Sequence, residues 1–377
     1  MSFLGEGYVF VLSLLVFWLV IYLLSKVFDL RKYGLIIYPF FIRYDSNLFK
    51  KTLYRLSHKW RGVWKIFSYL SVILGLGLMI FVMLFLIQNL IELSLPKGGG
   101  TPISIIIPGL TLSLYWLPYF FLSVALAVFI HEAAHGVVAL IEGASINSAG
   151  ILFLAIFPGG FVELKDEELK ALKNESKLKI FSAGTAANVL TGLIFFLLLS
   201  ALFIQSPSGV VVVEVMEGGP LDLAGIRRWD VIYALNGTPI HTFQDLFVFL
   251  SNVKPGEKIV VSTNRGDFYI TTAPSPENSS RGIIGIMLPS LTYYPSRLGL
   301  GAFWDIQLYL ILNWLFILSV SVSVFNMLPI PALDGDKFLQ CLLQKLPSGG
   351  DWIKKFFNIF SIFLFAANIL LSYGIPL

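Results

Sequence analysis

Residues 120–140 read FFLSVALAVFIHEAAHGVVAL, and this stretch decides the class of the protein. It is apolar enough, and long enough, to cross a bilayer as a helix, which takes about 20 residues. Yet it carries His131, Glu132 and His135. Residues four apart share a helix face, so the two histidines are placed to hold one metal ion, with Glu132 beside it. The alternative interpretation is a buried His–Glu network that packs helices together.

The composition agrees with a membrane protein. Of the 377 residues, 56% are hydrophobic and only 13% are charged, whereas soluble domains carry about 25% charged residues. The net charge is +4, and no basic face alternates with aromatic residues, so we expect no nucleic-acid partner. Cys341 is the single cysteine, which excludes a thiolate zinc cage. Any metal must therefore be bound by histidine and carboxylate.

Six segments are apolar and long enough to be transmembrane helices. They cover roughly residues 6–25, 66–93, 117–141, 180–204, 303–328 and 353–373. The first lacks a basic start and a small-residue cleavage site, so we predict a retained span and not a removed signal peptide. The predicted fold class is a polytopic α-helical membrane protein.

Lysine and arginine predict how the spans are oriented, because short cytoplasmic loops retain these residues. Segments 26–65, 162–179 and 336–355 are rich in them, whereas segment 94–116 has only Lys97. The first three are therefore predicted to be cytoplasmic. Both termini and residues 206–300 are then extracytoplasmic.

Two further regions have strand-like patterns. Residues 206–290 alternate short β-rich runs with turn signals such as Asn236-Gly237, which predicts a compact α+β domain. Segment 144–163 is apolar, too short to cross a bilayer and rich in Gly and Pro, which favours a membrane-associated β-hairpin lining a wet cavity. We expect residues 149–157 to offer a strand edge to substrate, and residues 164–179 to form an amphipathic helix at the inner surface.

A third metal ligand is expected from the end of the fifth span. There Pro329 and Pro331 break the helix, and Gly335 permits a sharp turn. Asp334 is thus predicted to lie on irregular backbone near the depth of His135. An N-cap role for Asp334 in the next helix stays open, and Asp336 is the better candidate for a plain cap.

Four separated motifs resemble the site-2 protease family of intramembrane metalloproteases. They are HEAAH (131–135), FPGGFVE (157–163), AGTAAN (183–188) and NMLPIPALDG (326–335), in the family's order and spacing. The resemblance implies one Zn²⁺ per chain on His131, His135 and Asp334, with Glu132 as the general base. It further implies that Asn188, and also Asn326, bind substrate or stabilise the oxyanion. Helix–helix hydrogen bonding remains the alternative for both asparagines.

Residues 219–237 are similar to a PDZ domain through Gly219-Pro220, Ala224-Gly225-Ile226, Asp230-Val231-Ile232 and Asn236-Gly237. The predicted organisation has four parts. Residues 1–115 are an N-terminal extension with two spans and a basic loop, and residues 116–205 hold the first part of the catalytic core. Residues 206–290 form the PDZ-like domain, and residues 291–377 complete the core and add the last span.

These features predict a zinc metalloendopeptidase that cleaves transmembrane proteins within or near their membrane helices. The resemblance implies substrates already trimmed by another protease, with the PDZ-like domain gating their access, and membrane lipids as surroundings. The zinc is expected toward the cytoplasmic side. A metal transporter and a non-catalytic membrane scaffold remain alternatives.

Overall fold

The computed structural model describes residues 3–28, 30–95, 98–108, 111–287, 291–344 and 350–374. Lys97, residues 288–290 of the predicted α+β domain and residues 345–349 of the basic segment 336–355 lie outside these ranges. The chain divides into two compact units. One comprises Met1–Ile194 and Trp314–Leu377, and the other comprises Phe195–Asn313.

The helices account for the predicted membrane architecture. Within the described residues they are α1 (Phe3–Val27), α2 (Asn47–Lys59), α3 (Arg61–Ser94), α4 (Leu117–Glu142), α5 (Asp166–Ala171), α6 (Asn174–Leu202), α7 (Pro220–Leu223), α8 (Phe243–Ser251), α9 (Ala302–Asn326), α10 (Asp334–Leu343) and α11 (Gly350–Ser372). Six of these, α1, α3, α4, α6, α9 and α11, are long and apolar enough to cross a membrane. The prediction of a polytopic helical membrane protein is confirmed.

The strands fall into two groups along the chain. The first group is β1 (Leu35–Tyr38), β2 (Phe41–Asp45), β3 (Ile146–Leu154) and β4 (Phe157–Leu164). The second is β5 (Val210–Val211), β6 (Glu214–Val215), β7 (Val231–Leu235), β8 (Thr238–Pro239), β9 (Lys258–Thr263), β10 (Gly266–Thr271), β11 (Ala273–Pro274), β12 (Gly282–Ile283), β13 (Ile286–Met287) and β14 (Leu291–Thr292).

The predicted hairpin is β3–β4, and it belongs to a larger sheet. Strands β1 and β2, which the sequence analysis missed, extend it to the order β1-β2-β3-β4. The expectation that residues 149–157 offer a free strand edge is therefore wrong for β3, because β2 and β4 pair with it on both sides. At this end of the sheet the free edge belongs to β4.

The tips of the two hairpins are tied together and to α1. The Ala155 N–H donates to the Phe40 carbonyl at 2.7 Å. Trp18, the one buried large side chain in the part of α1 whose side chains are described, donates its indole N–H to the Ala155 carbonyl at 2.9 Å. A backbone carbonyl that packing shields from water needs such a donor, because an unpaired polar group there is costly. The carbonyl at the tip of the β3–β4 turn thus receives a hydrogen bond from a side chain of α1.

Glycines allow α2 and β4 to pack closely on α4. A Cβ at Gly136 would lie 3.1 Å from both Leu53 of α2 and Val162 of β4. On the strand side, a Cβ at Gly160 would lie 3.1 Å from the Phe129 Cα. The Pro-Gly-Gly run that suggested a hairpin therefore brings the β4 backbone against α4, the helix that carries HEAAH.

The break between α9 and α10 differs in detail from the prediction. Residues 327–333 are the irregular stretch, with Ala332 at φ +80°, and Asp334 is the first residue of α10. Asp334 thus does not lie on irregular backbone itself, although the prolines before it do end α9. The plain-cap prediction for Asp336 is also wrong. Its carboxylate accepts from Asn358 Nδ2 at 2.9 Å and lies 3.1 Å from Lys354 Nζ, both on α11.

The predicted amphipathic helix at 164–179 is divided between two elements. Residues 166–171 form α5, and α6 already begins at Asn174, before the predicted start of the fourth span. Lys179 is 7% exposed and lies 3.1 Å from Glu142 Oε1 near the end of α4. This ion pair joins α4 to α6 at the end nearer the cluster of His131 and His135.

The second unit contains an α+β domain with its own core. Its main sheet has the order β10-β9-β7-β5-β14, with β8 also paired to β7. The buried core residues are Val210, Val212, Leu221, Ile226, Ile232, Leu235, Ile240, Leu246, Leu250, Val253, Ile259, Val261, Ile270 and Ile284. Asn236-Gly237 has positive φ at both positions and forms the predicted tight turn. Strands β12 and β13 are separated at Gly285, where φ is +85°.

Candidate metal centre

Two imidazoles face each other on α4. His131 and His135 are one helical turn apart and buried, and their Nε2 atoms lie 3.0 Å apart. The helix continues past them to Gly143, whose φ of +98° ends it in the left-handed conformation that glycine favours. Because the two histidines are four residues apart on this helix, both rings lie on one face, as predicted from the sequence.

Asp334 completes the cluster from the start of α10. Its Oδ2 lies 2.9 Å from His131 Nε2 and 2.9 Å from His135 Nε2. Gly335 makes this position possible, because a Cβ there would lie 2.4 Å from the Leu328 carbonyl oxygen. Only a glycine lets the chain return so closely upon itself after the two prolines.

The three side chains suit a zinc ion. Their ligand atoms all lie within 4.8 Å of one another, and two imidazole nitrogens with one carboxylate oxygen are a donor set that zinc prefers. Tetrahedral ligands about 2.0–2.1 Å from zinc lie roughly 3.3 Å apart. The separations of 2.9 and 3.0 Å are close to that spacing. Within the ranges that the structure describes, this is the group of His, Cys, Asp and Glu that fits a metal ion.

The far nitrogens of both rings have partners. His135 Nδ1 lies 2.6 Å from the Ile180 carbonyl oxygen, to which it donates, so its Nε2 is left with a lone pair directed at the cluster. His131 Nδ1 lies 3.4 Å from the side-chain amide of Asn188. Asn188 is fully buried, and its Oδ1 has no hydrogen-bond partner among the described residues.

The other predicted residues surround the cluster on different sides. The Asn326 amide nitrogen lies 3.5 Å from His131 Nε2, on the face of the ring toward Asp334, and the residue is half-buried. Glu132 accepts the Val162 N–H of β4 through Oε2 at 3.2 Å. The structure therefore brings His131, His135 and Asp334 together and places Glu132, Asn188 and Asn326 around them.

Gly184 is a residue of the site to which the sequence analysis gave no role. A Cβ at this position would lie 2.4 Å from His135 Nε2 and 2.7 Å from the His131 ring. Any side chain would push the imidazoles from their positions. Its placement four residues before Asn188, on the same face of α6, is the sequence signal that could have identified it.

The profile of peptidase family M50 matches residues 119–370, which is two thirds of the chain and includes every residue of the cluster. This chain belongs to peptidase family M50. Its relatives include proteins named as a site-2 protease homolog and as zinc metalloproteases. Together with the family match and the His-His-Asp cluster, these names show that the chain is a metalloprotease of the site-2 protease type and that its metal is zinc. The predicted enzyme class and cofactor are confirmed. The metalloprotease is thereby favoured over the transporter and the scaffold.

Three relatives illustrate how far the similarity extends. An uncharacterized protein of Methanocaldococcus jannaschii is 26% identical over 330 residues, which cover 85% of this chain and 81% of that protein. The membrane-bound transcription factor site-2 protease homolog of Arabidopsis thaliana is 28% identical over 202 residues, or 51% of this chain and 39% of that protein. Zinc metalloprotease RasP of Geobacillus kaustophilus is 25% identical over 201 residues, or 42% of this chain and 48% of that protein. The chain thus spans less than half the length of the two named proteases.

Proposed function

We propose that this M50 peptidase cleaves peptide bonds within, or at the edge of, the transmembrane helices of membrane proteins. The observation that carries the proposal is the convergence of His131, His135 and Asp334 on a helix apolar enough to span a bilayer. An enzyme that cleaves water-soluble substrates would not need metal ligands on a membrane-spanning helix, because polar groups within a span are energetically costly.

We assign zinc binding to His131, His135 and Asp334, and general-base catalysis to Glu132. Bound by these two imidazoles and the carboxylate, zinc would supply a water molecule whose pKa is lowered to near 7. Glu132 lies next to the cluster without belonging to it, and the Val162 N–H holds its carboxylate. It takes a proton from the attacking water and delivers it to the leaving amine.

The two asparagines receive different roles. With Nε2 directed at the metal, His131 carries its proton on Nδ1, and this N–H needs an acceptor. The Asn188 amide is the group that faces it, and a half-turn of that amide brings the unpartnered Oδ1 to Nδ1. Asn188 therefore orients His131 and is too buried to touch substrate. Asn326, on the metal side of the ring, is the better oxyanion or substrate donor.

The free edge of β4 would pair with an unwound substrate. A helix conceals its carbonyls in its own hydrogen bonds, so a substrate must unwind and find new partners. Pairing with a strand edge supplies them. Strand β4 packs on α4 and gives the Val162 N–H to Glu132, so a peptide on this edge lies beside the base. This replaces the β3 edge proposed from the sequence.

The inserted domain is proposed to be a PDZ-like domain that controls substrate access. Its support is the sequence similarity around Gly219–Gly237 and a sheet with short helices that fits such a domain. From the distribution of lysine and arginine, we place this domain and both termini outside the cytoplasm, and the zinc toward the cytoplasmic side. Substrates would be single-span proteins that another protease has already trimmed.

A membrane-embedded reporter tests the proposed function directly. Purified wild-type protein and Glu132→Gln are reconstituted into liposomes with a reporter that carries one transmembrane helix. We expect Glu132→Gln to keep its zinc and to cleave at least about a hundredfold more slowly, because the base is lost. Cleavage at the wild-type rate would show that Glu132 is not the base.

A further inference from the structure

The outward face of α2 is basic and has no acidic neighbour. Lys51, Arg55 and Lys59 follow one another at four-residue intervals, and all three are exposed. Helix α2 contains no Asp or Glu, and in the described parts of the chain none of the three forms an ion pair. Leu48 lies on the same face and is 77% exposed. A basic face that also shows an apolar side chain is typical of helices that lie on a membrane surface.

The neighbours of α2 place this face at head-group level. Only Trp60 separates α2 from α3, which is one of the candidate membrane spans. Trp60 is half exposed, and Arg61 and Lys65 in the first turns of α3 are exposed as well. Tryptophan and basic residues at the end of a span mark the boundary between lipid and water. The stripe of Lys51, Arg55 and Lys59 therefore lies where lipid phosphates are found.

The opposite face of α2 contacts the helix that bears the metal cluster. The Phe49 ring stacks on that of Phe129, with centroids 4.6 Å apart. Leu53 is fully buried and packs where Gly136 leaves room on α4. Phe129 and Gly136 flank the HEAAH motif on its two sides. The N-terminus of α2 is also tied to β3, since the Ser46 N–H donates to the Ala149 carbonyl at 2.8 Å.

We propose that the Lys51–Arg55–Lys59 face of α2 binds the head groups of anionic phospholipids, and that this contact raises the rate of cleavage by fixing α2 against α4. The effect on rate rests on the proposed function; the head-group binding does not. Basic residues near an anionic surface each contribute about fivefold in affinity, so three of them give roughly a hundredfold.

Head-group binding is measured without any substrate. The full-length protein is reconstituted in phosphatidylcholine with about 30 mol% phosphatidylglycerol, a level at which the surface is clearly anionic. It is then released into detergent, and the retained lipids are counted by native mass spectrometry. We compare wild type with the triple variant Lys51→Gln, Arg55→Gln, Lys59→Gln. The control removes three exposed charges elsewhere, as Arg227→Gln, Lys254→Gln, Lys258→Gln.

We expect wild type and control to retain phosphatidylglycerol over phosphatidylcholine, and the α2 triple variant to lose this preference. The proposal would be overturned if all three proteins retained phosphatidylglycerol over phosphatidylcholine to the same extent. That result would indicate that the basic face of α2 serves another partner, such as an acidic protein segment.

The rate of reporter cleavage tests the coupling to α4. We expect it to rise at least fivefold with phosphatidylglycerol in wild type and control, and to stay at the phosphatidylcholine value in the α2 triple variant. Selective lipid binding with no effect on the rate would refute the coupling. Absence of cleavage in every membrane, with lipid binding intact, would instead contradict the proposed proteolytic function and support head-group binding.

Discussion

Asn188 differs from the other polar side chains of the site in two respects. It has no exposed surface, and its amide faces His131 Nδ1, the ring nitrogen that points away from the metal cluster. If its role is to accept the His131 Nδ1–H, Asn188→Leu should weaken zinc binding by about 10–100-fold, the usual effect of losing such a partner. Asn188→Asp keeps an oxygen acceptor and should stay within a few-fold of wild type. Competition with a chromophoric chelator measures both affinities, independently of cleavage.

A substrate-binding or oxyanion role for Asn188 makes the opposite prediction. Both variants would then bind zinc like wild type, and both would cleave slowly, because neither side chain offers an amide donor. Equal zinc affinity in Asn188→Leu and wild type would therefore contradict the orienting role.

The sequence indicated the zinc-binding residues more clearly than the residues that position them. The spacing of His131, Glu132 and His135 on one apolar run is a local pattern, so it could be recognised without a structure. Asp334 could be named only as a candidate, since nothing local says that it meets a helix about 200 residues earlier. The tight fit of Gly184 against both imidazoles depends on how α6 packs on α4, which the sequence does not encode locally.

At the scale of single elements, the outer edge of β4 carries the clearest prediction. Val162→Pro removes the N–H that Glu132 accepts, and proline is tolerated on an edge strand. We expect this variant to retain zinc but to cleave at least about tenfold more slowly, since the base loses its orientation. Reporter cleavage and zinc content measured on the same preparation provide the test.

Val162→Ala is the matched control, because it shortens the same side chain and keeps the backbone donor. It should cleave at close to the wild-type rate. If Val162→Pro and Val162→Ala cleave equally fast, the hydrogen bond from Val162 to Glu132 takes no part in the reaction.

The elements that the sequence missed lie in its basic segment. Residues 26–65 were interpreted through their charge as a loop, yet they contain β1, β2 and α2. Each strand there has only four or five residues, and β2 is stabilised by pairing with β3 more than 100 residues away. Long apolar runs, in contrast, identify a span by themselves because the bilayer thickness sets their length. The β3 edge was misjudged for the same reason, since its second neighbour is distant in sequence.

At the scale of the whole molecule, the inserted domain is attached through paired chain segments. Val211 pairs with Leu291, and the ladder continues outward, with the Ile204 N–H donating to the Pro295 carbonyl at 3.0 Å. Residues 212–290 can therefore be replaced by an Asn-Gly turn, which suits a two-residue hairpin. If the domain restricts access, this deletion should leave cleavage of a trimmed reporter unchanged and raise cleavage of an untrimmed one at least about tenfold.

Both reporters are assayed with the same protein preparation, so the trimmed reporter controls for folding and zinc content. An untrimmed reporter that remains uncut while the trimmed one is cleaved normally would show that the inserted domain does not exclude substrates.

The most direct test of the metal centre is the zinc content of the purified protein, measured by inductively coupled plasma mass spectrometry. Wild type should hold one zinc ion per chain, and Asp334→Ala should lose it, because a carboxylate 2.9 Å from both imidazole nitrogens is removed. Asp336→Ala, two residues along α10 and directed at α11, should keep its zinc. One zinc ion per chain in Asp334→Ala would contradict the proposed His131–His135–Asp334 centre.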